Sequence, residues 1–248
     1  MAADLETLAK QFKGDTFKSV RTTLMAQASQ ARQLGAPEHF AVPATAIATE
    51  ITPVHSETST SEQRVRRPLT KEEKEALAAE GIKVVYPFSG ETIDTQRSNG
   101  RKFWYVASSQ DDRLASLPSI TGDVAVDPRP GKFFLPRSNN LTLDQQVEMI
   151  AEYSHNLQRR LGTDSIEAVM GEAPDYTALA FAHLDATGER FFGQRYDYRY
   201  ARTQTPTVGS NVALVGNFNP ADGLDVDHWS RDSGDDVVFA APLVVAKA

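Results

Sequence analysis

The chain has 248 residues, a net charge of −7 and no cysteine. Its length suits one or two domains, and the hydrophobic fraction of 40% and charged fraction of 24% are typical of soluble globular proteins. The acidic balance disfavours nucleic-acid binding through a basic surface, and the absence of cysteine excludes disulfide frameworks, thiolate metal sites and cysteine nucleophiles.

The first residues lack the basic and apolar pattern of a secretory signal. No apolar run reaches the length that a membrane span needs. The absence of cysteine agrees with a reducing compartment. We therefore expect a soluble protein without a membrane span, cytoplasmic by default.

The N-terminal segment, residues 1–35, is predicted to be helical, with Asp15 as N-cap and Gly35 as the stop. The apolar positions that recur at helical spacing are Phe17, Val20, Leu24, Ala28, Ala31 and Leu34. This apolar stripe is thin, so the helix needs a partner, either the main domain or a second copy of the chain. Oligomerisation through this helix therefore stays open. Residues 36–68 are rich in Pro, Thr, Ser and Glu, which predicts a flexible linker.

The main domain is predicted over residues 69–248. Two pairs of residues, Thr70 with Glu73 and Thr142 with Gln145, have the spacing of capping boxes and mark the start of helices. The second pair precedes the strongest amphipathic stretch, LTLDQQVEMIAEYSHNLQRRLG, which ends at a glycine. A further helix is predicted over APDYTALAFAHLDATG. Strands are predicted over IKVVYPF, GRKFWYVAS and SIEAVMG.

The last third of the chain is predicted to be rich in strands. Its short β-like runs are RFFGQRYDYRYART, SNVALVGNF, DGLDVDHW and DVVFAAPLVV, separated by Gly, Pro and Asp. Helices first and strands afterwards favour the α+β class over a regular βαβ repeat. Two aromatic runs, FWY at 103–105 and YDYRY at 196–200, are predicted to belong mainly to the core, with ligand stacking as the alternative. In YDYRY the three tyrosines share one face if the run is a strand.

The stretch from 216 to 236, GNFNPADGLDVDHWSRDSGDD, is the candidate functional segment. Asp225 and Asp227 fall on one face of a predicted strand, where they are able to hold Ca²⁺ or Mg²⁺. The EF-hand spacing is absent, however, and solvated carboxylates repel one another by only about 1 kcal/mol or less, so an acidic run needs no cation. Acid–base chemistry with His183 or His155 is the other catalytic hypothesis, although neither lies in an HExxH motif, and His228 or His183 could assist a metal bound by the aspartates.

The same stretch has the composition of a binding surface. Short polar side chains alternate with the apolar positions that a strand needs, and Trp229 stands among them as a candidate hot spot. An aspartate-rich surface of this kind selects basic partners. This interpretation makes the metal site the minority view.

The order of elements resembles the C-type-lectin-like fold, specifically its formylglycine-generating-enzyme-like branch and the variable proteins diversified by retroelements. The shared pattern covers residues 141–248: an amphipathic helix, a second helix, and a β-rich tail with a polar segment before a short closing strand. The resemblance implies ligand-binding variable positions at Asn217, Asn219, Asp222, Asp225, Asp227, His228, Ser230, Arg231, Asp232, Ser233, Asp235 and Asp236. Because the chain has no cysteine, it lacks the copper-binding thiol pair of the oxidases in that branch. The resemblance therefore implies a binder.

The sequence supports three functional hypotheses. The first is a non-enzymatic ligand-binding protein that displays its polar C-terminal segment, including Trp229, to a partner, with a protein as the expected ligand and no cofactor. The second is a metal-dependent hydrolase or a Ca²⁺-stabilised domain that uses the C-terminal aspartates. The third is a structural or assembly protein that oligomerises through its N-terminal helix.

Overall fold

A computed structural model of the chain describes residues 64–109 and 113–247. The predicted N-terminal helical segment and most of the predicted linker lie outside the described residues. The last residues of that predicted linker contact the main domain. Arg64 is buried, with its Nη2 atom 2.6 Å from Oδ1 of Asp175, and the backbone amide of Arg66 donates to the carbonyl of Thr121 over 2.7 Å.

The described residues form a mixed α+β structure, as the order of predicted elements indicated. The helices are α1 (Lys71–Ala79), α2 (Ile93–Ser98), α3 (Arg113–Ser116), α4 (Pro130–Phe133), α5 (Leu143–Leu161) and α6 (Ala173–Thr187). The strands are β1 (Val84–Ser89), β2 (Phe103–Val106), β3 (Thr121–Val126), β4 (Ile166–Met170), β5 (Tyr200–Pro206), β6 (Asn211–Asn219), β7 (Gly223–Ser230), β8 (Val238–Phe239) and β9 (Pro242–Ala246). None of the described helices is long and apolar enough to cross a membrane.

The strands form two sheets. The four-stranded sheet has the order β1-β3-β9-β4 and is antiparallel throughout. All five residues of β9 are buried, which explains why its sequence is a continuous apolar run. The five-stranded sheet has the order β2-β7-β6-β5-β8, in which β5, β6 and β7 are antiparallel, while β2 runs parallel to β7 and β8 parallel to β5.

The helix boundaries follow the capping residues that the sequence predicts. Both capping boxes are present, because the side chains of Thr70 and Thr142 accept from the backbone amides of Glu73 and Gln145. Helix α5 ends at Gly162, whose φ of 66° is left-handed and suits a residue without a Cβ atom. The ends of α1 and α5 therefore coincide with local capping signals in the sequence.

The largest core cluster joins both sheets to α6. It contains Tyr176 and Leu179 of that helix, Val124 and Val245 of the four-stranded sheet, and Val215 of the five-stranded sheet. Helix α5 packs elsewhere: its residue Leu157 lies against the four-stranded sheet, and Ile150 belongs to a smaller cluster with Val212 of β6. The face of the five-stranded sheet that points away from α6 is therefore covered by α5 at the Val212 end.

The tyrosine run YDYRY is not a strand, contrary to the sequence prediction. Residues Gln194–Tyr196 form a turn of 3₁₀-helix, and Asp197 and Tyr198 both have φ of 53°. Strand β5 begins only at Tyr200, so the three tyrosines do not share a face. The chain must reverse direction before it enters β5, and this tertiary requirement overrides the local β propensity.

Candidate functional site

The polar segment at residues 216–236 occupies three different settings: a hairpin turn, strand β7, and the loop after β7. Strands β6 and β7 form the hairpin, whose register pairs Asn219 with Gly223. In the turn, Oδ1 of Asn219 accepts from the backbone amide of Ala221 over 2.8 Å, and Asp222 is exposed. The segment is therefore not one continuous surface, and each setting has its own contacts.

Strand β7 turns its polar residues away from the main core. Leu224 and Val226 point into the cluster that contains α6, so Asp225, Asp227 and Trp229 lie on the opposite face. We call this the outer face of the five-stranded sheet. The spacing predicted for Asp225 and Asp227 is confirmed, because the two carboxylates share a face of one strand.

Asp225 lies on this outer face but is buried, with 3% of its surface exposed. The hydroxyl of Tyr200 donates to Oδ2 of Asp225 over 2.6 Å. The two residues are separated by β6, where Gly216 pairs with both of them in register. A Cβ atom on Gly216 would stand 2.7 Å from Cδ1 of Tyr200 and 2.5 Å from the carbonyl oxygen of Arg199. The glycine therefore permits the tyrosine to cross the strand and reach the carboxylate.

The carboxylate of Asp225 has only part of the hydrogen bonding that a buried charge requires. Its Oδ1 atom is buried and has no hydrogen-bond partner among the described residues. Burial raises the pKa of Asp225, the bond from Tyr200 lowers it, and the neighbouring charge of Asp227 raises it again. Burial also raises the pKa of Tyr200, and its bond to Asp225 adds to that rise, so the tyrosine remains a donor at neutral pH.

Large aromatic side chains surround these aspartates and are exposed. Trp104 is 58% exposed, Tyr105 44% and Trp229 39%. Tyr105 pairs with Asp225 in the parallel register of β2 and β7, beside a bulge at Trp104. We name Trp104, Tyr105, Asp225, Asp227 and Trp229 the acidic–aromatic face. The FWY run was predicted to belong mainly to the core, and this is wrong for Trp104 and Tyr105, because β2 is an edge strand and only Phe103 reaches the core.

A buried arginine forms hydrogen bonds with the main chain of the loop after β7, residues 231–236. Arg202 of β5 is fully buried, and its Nη2 atom donates to the carbonyl of Ser233 over 2.7 Å. Its Nη1 atom donates to the carbonyls of Ser230 and Arg231 over 3.2 and 3.4 Å. Through these bonds the guanidinium of Arg202 donates to three main-chain carbonyls at the end of β7 and in the loop. We call residues 231–236 the C-terminal loop.

The C-terminal loop is also tied to the residues that precede α5. The backbone amide of Asn140 donates to the carbonyl of Asp235, and the amide of Leu143 to the carbonyl of Arg231, both over 2.8 Å. Gly234 lies so close to the backbone of Asn140 that a Cβ atom there would overlap it. The loop is therefore defined by main-chain contacts, although its sequence is dominated by polar side chains.

Most side chains of the C-terminal loop form hydrogen bonds within the loop or lie on its exposed surface. Oγ of Ser230 accepts from the amide of Asp232, and Oδ1 of Asp235 accepts from the amide of Val237. Arg231 forms an exposed ion pair with Asp144 over 3.0 Å. The side chains of Asp232, Ser233 and Asp236 belong to exposed residues.

The structure therefore separates the predicted site residues. Asp225, Asp227 and Trp229 come together on the acidic–aromatic face, whereas His228 falls on the opposite face of β7, in register with Ala213, with its Nδ1 atom 3.4 Å from Oδ1 of Asp227. Asn219 and Asp222 belong to the hairpin turn, and Asn217, with φ of 46°, to the bulge in β6. The members of the C-terminal loop are Arg231, Asp232, Ser233, Asp235 and Asp236, with Ser230 at its start.

Sequence reasoning missed Arg202 and Gly216, and it considered Tyr200 only within the YDYRY run, as a core residue with ligand stacking as the alternative. Tyr200 and Arg202 reach the polar segment from β5, and Gly216 makes room for the tyrosine. A glycine inside a predicted strand signals a close approach of another group, so Gly216 carried a usable signal. Neither Tyr200 nor Arg202 carried one, because the pairing of β5 with β6 is needed to bring them near.

The structure also bears on the metal and acid–base hypotheses. Among residues 64–109 and 113–247, no three His, Asp or Glu side chains converge in a way that could hold a metal ion. His183 is buried, its Nδ1 atom lies 2.7 Å from the hydroxyl of Tyr86, and burial lowers its pKa. Its ring also meets Phe191 edge to face, so this histidine belongs to the core.

Comparison of the chain with protein-family models, with curated proteins and with solved structures finds no match. The function therefore has to be argued from the acidic–aromatic face itself.

Proposed function

We propose that the chain is a non-enzymatic ligand-binding protein that binds its partner through the acidic–aromatic face. One observation carries the proposal. The chain has two tryptophans, and both are partly exposed on adjacent paired strands, on the face that also holds Asp225, whose buried Oδ1 atom has no hydrogen-bond partner among the described residues. An exposed indole lowers solubility, and Trp104 leaves 58% of its surface in solvent, so binding accounts for its position on this face.

The chemistry of this face suits a protein ligand. Tryptophan and tyrosine supply large contact areas with few rotatable bonds, and they dominate the binding energy of protein interfaces. Asp225 and Asp227 add negative charge between them, which favours a basic partner and speeds encounter. The C-terminal loop contributes a rigid polar border, because its backbone is bonded to Arg202 and to the residues before α5.

We extend the proposal to the C-type-lectin-like fold and to diversification by a retroelement. Support comes from the element order, since α5, α6 and the strand-rich tail follow the pattern that the resemblance implies. In this proposal the diversified codons encode the polar side chains of β7 and of the C-terminal loop, while Arg202 and Gly216 stay constant as scaffold. A near-repeat of the 3′ coding sequence, differing mainly at adenines, is the expected finding at the nucleotide level.

Selection of a displayed random-peptide library on the full chain tests the binding function. Selected peptides are expected to bind at the acidic–aromatic face and to lose about tenfold or more in affinity for a Trp104→Ala, Trp229→Ala double variant. A Val208→Ala variant is the matched control, because Val208 is an exposed apolar residue outside this face. Equal affinity of the selected peptides for the double variant and for the original chain would contradict the proposal.

A further inference from the structure

We infer that Asp225 is the acceptor for an arginine side chain of a protein ligand, with the guanidinium bound between Asp225 and Asp227 and flanked by exposed aromatic rings. This inference rests on the proposed function and specifies its chemistry. It identifies the central contact of the acidic–aromatic face and the residue type that a partner must supply.

One oxygen of the Asp225 carboxylate, Oδ1, is free to accept a hydrogen bond from a ligand. Asp225 is 3% exposed, receives one hydrogen bond from Tyr200 and has no donor for Oδ1 among the described residues. A buried acceptor without a donor costs free energy comparable to a lost hydrogen bond, and more when the group is charged. A ligand that supplies the missing donor therefore recovers free energy that the unbound protein lacks.

The two aspartates favour a positively charged ligand. Asp227 is the next residue on the same face, two positions along β7 and therefore about 7 Å away along the strand. Neither Asp225 nor Asp227 has an ion pair with lysine or arginine among residues 64–109 and 113–247; the ion pair found there joins Asp227 to His228. Two carboxylates without a strong base beside them favour a cation over a neutral donor.

The aromatic rings beside the two aspartates favour arginine over other cations. A guanidinium is planar and weakly hydrated, donates in several directions at once, and stacks on aromatic faces, whereas an ammonium is strongly hydrated and costs more to bury. Exposed rings flank the two aspartates: Tyr105 stands opposite Asp225 in register, Trp104 is next to Tyr105, and Trp229 follows Asp227 on the strand. This combination of acceptors and rings favours a guanidinium.

A ligand has to reach the buried Oδ1 atom of Asp225. Within the described residues β2 is an edge strand, so no described strand lies beyond Tyr105. Nearly half of the surface of Tyr105 is already exposed. In the proposed complex the guanidinium enters from this edge of the sheet, after rotation of the Tyr105 side chain. The core side of Asp225 offers no such route, because Leu224 and Val226 are fully buried.

The test uses the peptide acetyl-Gly-Arg-Gly-amide and the full chain labelled with 5-fluorotryptophan. Because the chain has only two tryptophans and both lie on the acidic–aromatic face, each fluorine resonance reports on this face. The same peptide with citrulline in place of arginine keeps the shape and removes the charge. Peptides with lysine and with trimethyl-lysine test the other cations.

The arginine peptide is expected to shift the fluorine resonances in a saturable way, and the citrulline peptide is not. Asp225→Asn should weaken binding by about tenfold or more, and Asp227→Asn by less because Asp227 is more exposed. Asp164→Asn is the matched control, an exposed aspartate ahead of β4 in the other sheet, and should leave the affinity unchanged. Circular dichroism of each variant confirms that it is folded.

Each of four results would overturn the inference. These are no saturable shift with the arginine peptide, equal affinity for the citrulline peptide, unchanged affinity in Asp225→Asn, and tighter binding of the lysine or trimethyl-lysine peptide than of the arginine peptide. Selected library peptides that require the tryptophans but contain no arginine would leave the proposed function standing while this inference fails.

Discussion

The C-terminal loop and the acidic–aromatic face have similar compositions and opposite constructions. The loop directs its main-chain carbonyls inward to the buried guanidinium of Arg202 and leaves Asp232 and Asp236 in solvent. On the acidic–aromatic face, by contrast, Asp225 is buried and the two tryptophans are partly exposed to solvent. The buried guanidinium of Arg202 has both Nη atoms bonded and only Nε without a partner among the described residues, whereas the buried carboxylate of Asp225 has a single donor and an unpaired Oδ1 atom.

This difference teaches which part of an aspartate-rich segment stabilises the fold and which part is available for binding. A buried arginine with several carbonyl acceptors stabilises the loop, and exposed aspartates add little to stability. A buried carboxylate with one donor opposes folding, and exposed indole rings leave apolar surface in solvent without stabilising the fold. Violations of this kind are expected at functional sites, since only a function compensates for their cost.

Replacing Arg202 should produce the largest change, on the loop side of the comparison. Arg202→Met removes the donors to three carbonyls and is expected to lower the free energy of unfolding by about 3 kcal/mol or more. Urea denaturation measures this change. Arg195→Met, at an exposed arginine, serves as control and should stay within about 0.5 kcal/mol. A similarly small loss for Arg202→Met would show that the loop does not need its buried arginine.

Replacing Gly216 should have the next largest effect and connects the fold to the face. A Cβ atom at Gly216 meets the backbone of Tyr200 and Arg199, so Gly216→Ala should lower the free energy of unfolding by about 1–3 kcal/mol. It should also move the Tyr200 hydroxyl away from Asp225.

Gly131→Ala is the matched control for this change, because no atom lies within 4 Å of the added Cβ atom. Its free energy of unfolding should match that of the original chain within about 0.5 kcal/mol. Thermal unfolding of both variants measures the difference. Equal midpoints for the two glycine variants would mean that Tyr200 does not cross β6 as described.

Replacing Asp225 should have a smaller effect of the opposite sign. At neutral pH, Asp225→Asn removes a buried charge that is only partly hydrogen-bonded, and it should raise the free energy of unfolding by about 1 kcal/mol while weakening ligand binding. The gain should depend on pH. Burial raises the pKa of Asp225 in the folded chain, so the folded state holds this proton more tightly than the unfolded state does.

The stability that Asp225 contributes is therefore complete below the pKa of the unfolded chain and is lost as the pH rises through the higher pKa of the folded chain. The advantage of Asp225→Asn should be absent at about pH 3 and should grow toward neutral pH. Urea denaturation across this range measures it. A variant that is less stable than the original chain at neutral pH would show that the carboxylate is a structural element.

Replacing Trp104, the more exposed of the two tryptophans, should change stability least. Trp104→Ala is expected to alter the free energy of unfolding by about 0.5 kcal/mol or less, because most of the side chain is already in solvent. Its effect on binding should be far larger. A loss of several kcal/mol in stability, measured by urea denaturation, would place Trp104 in the core and remove it from the acidic–aromatic face.

The sequence predicted the α+β class and the helices α1, α5 and α6 from local signals. Capping boxes and a C-terminal glycine bounded α1 and α5, since such contacts involve only near neighbours in the chain. Alternation also placed Asp225 and Asp227 on one face of β7. Local patterns thus identified the segment that carries the candidate site.

The remaining features depended on strand pairing, which no local pattern encodes. The position of β2 at a sheet edge exposed Trp104 and Tyr105, although the same residues in a central strand would have been core. The register of β5 with β6 brought Tyr200 and Arg202 under the polar segment. For the same reason the sequence did not distinguish the buried Asp225 from the exposed aspartates around it.

The pKa of the Asp225 carboxyl, measured by carbon NMR with and without the arginine peptide, tests the central claim most directly. Asp225→Asn assigns the resonance. The account predicts a pKa above the ordinary aspartate value in the free protein and a clear fall when the peptide binds, because a guanidinium favours the charged form. An ordinary or lowered pKa in the free protein, or one that the peptide leaves unchanged, would contradict the account.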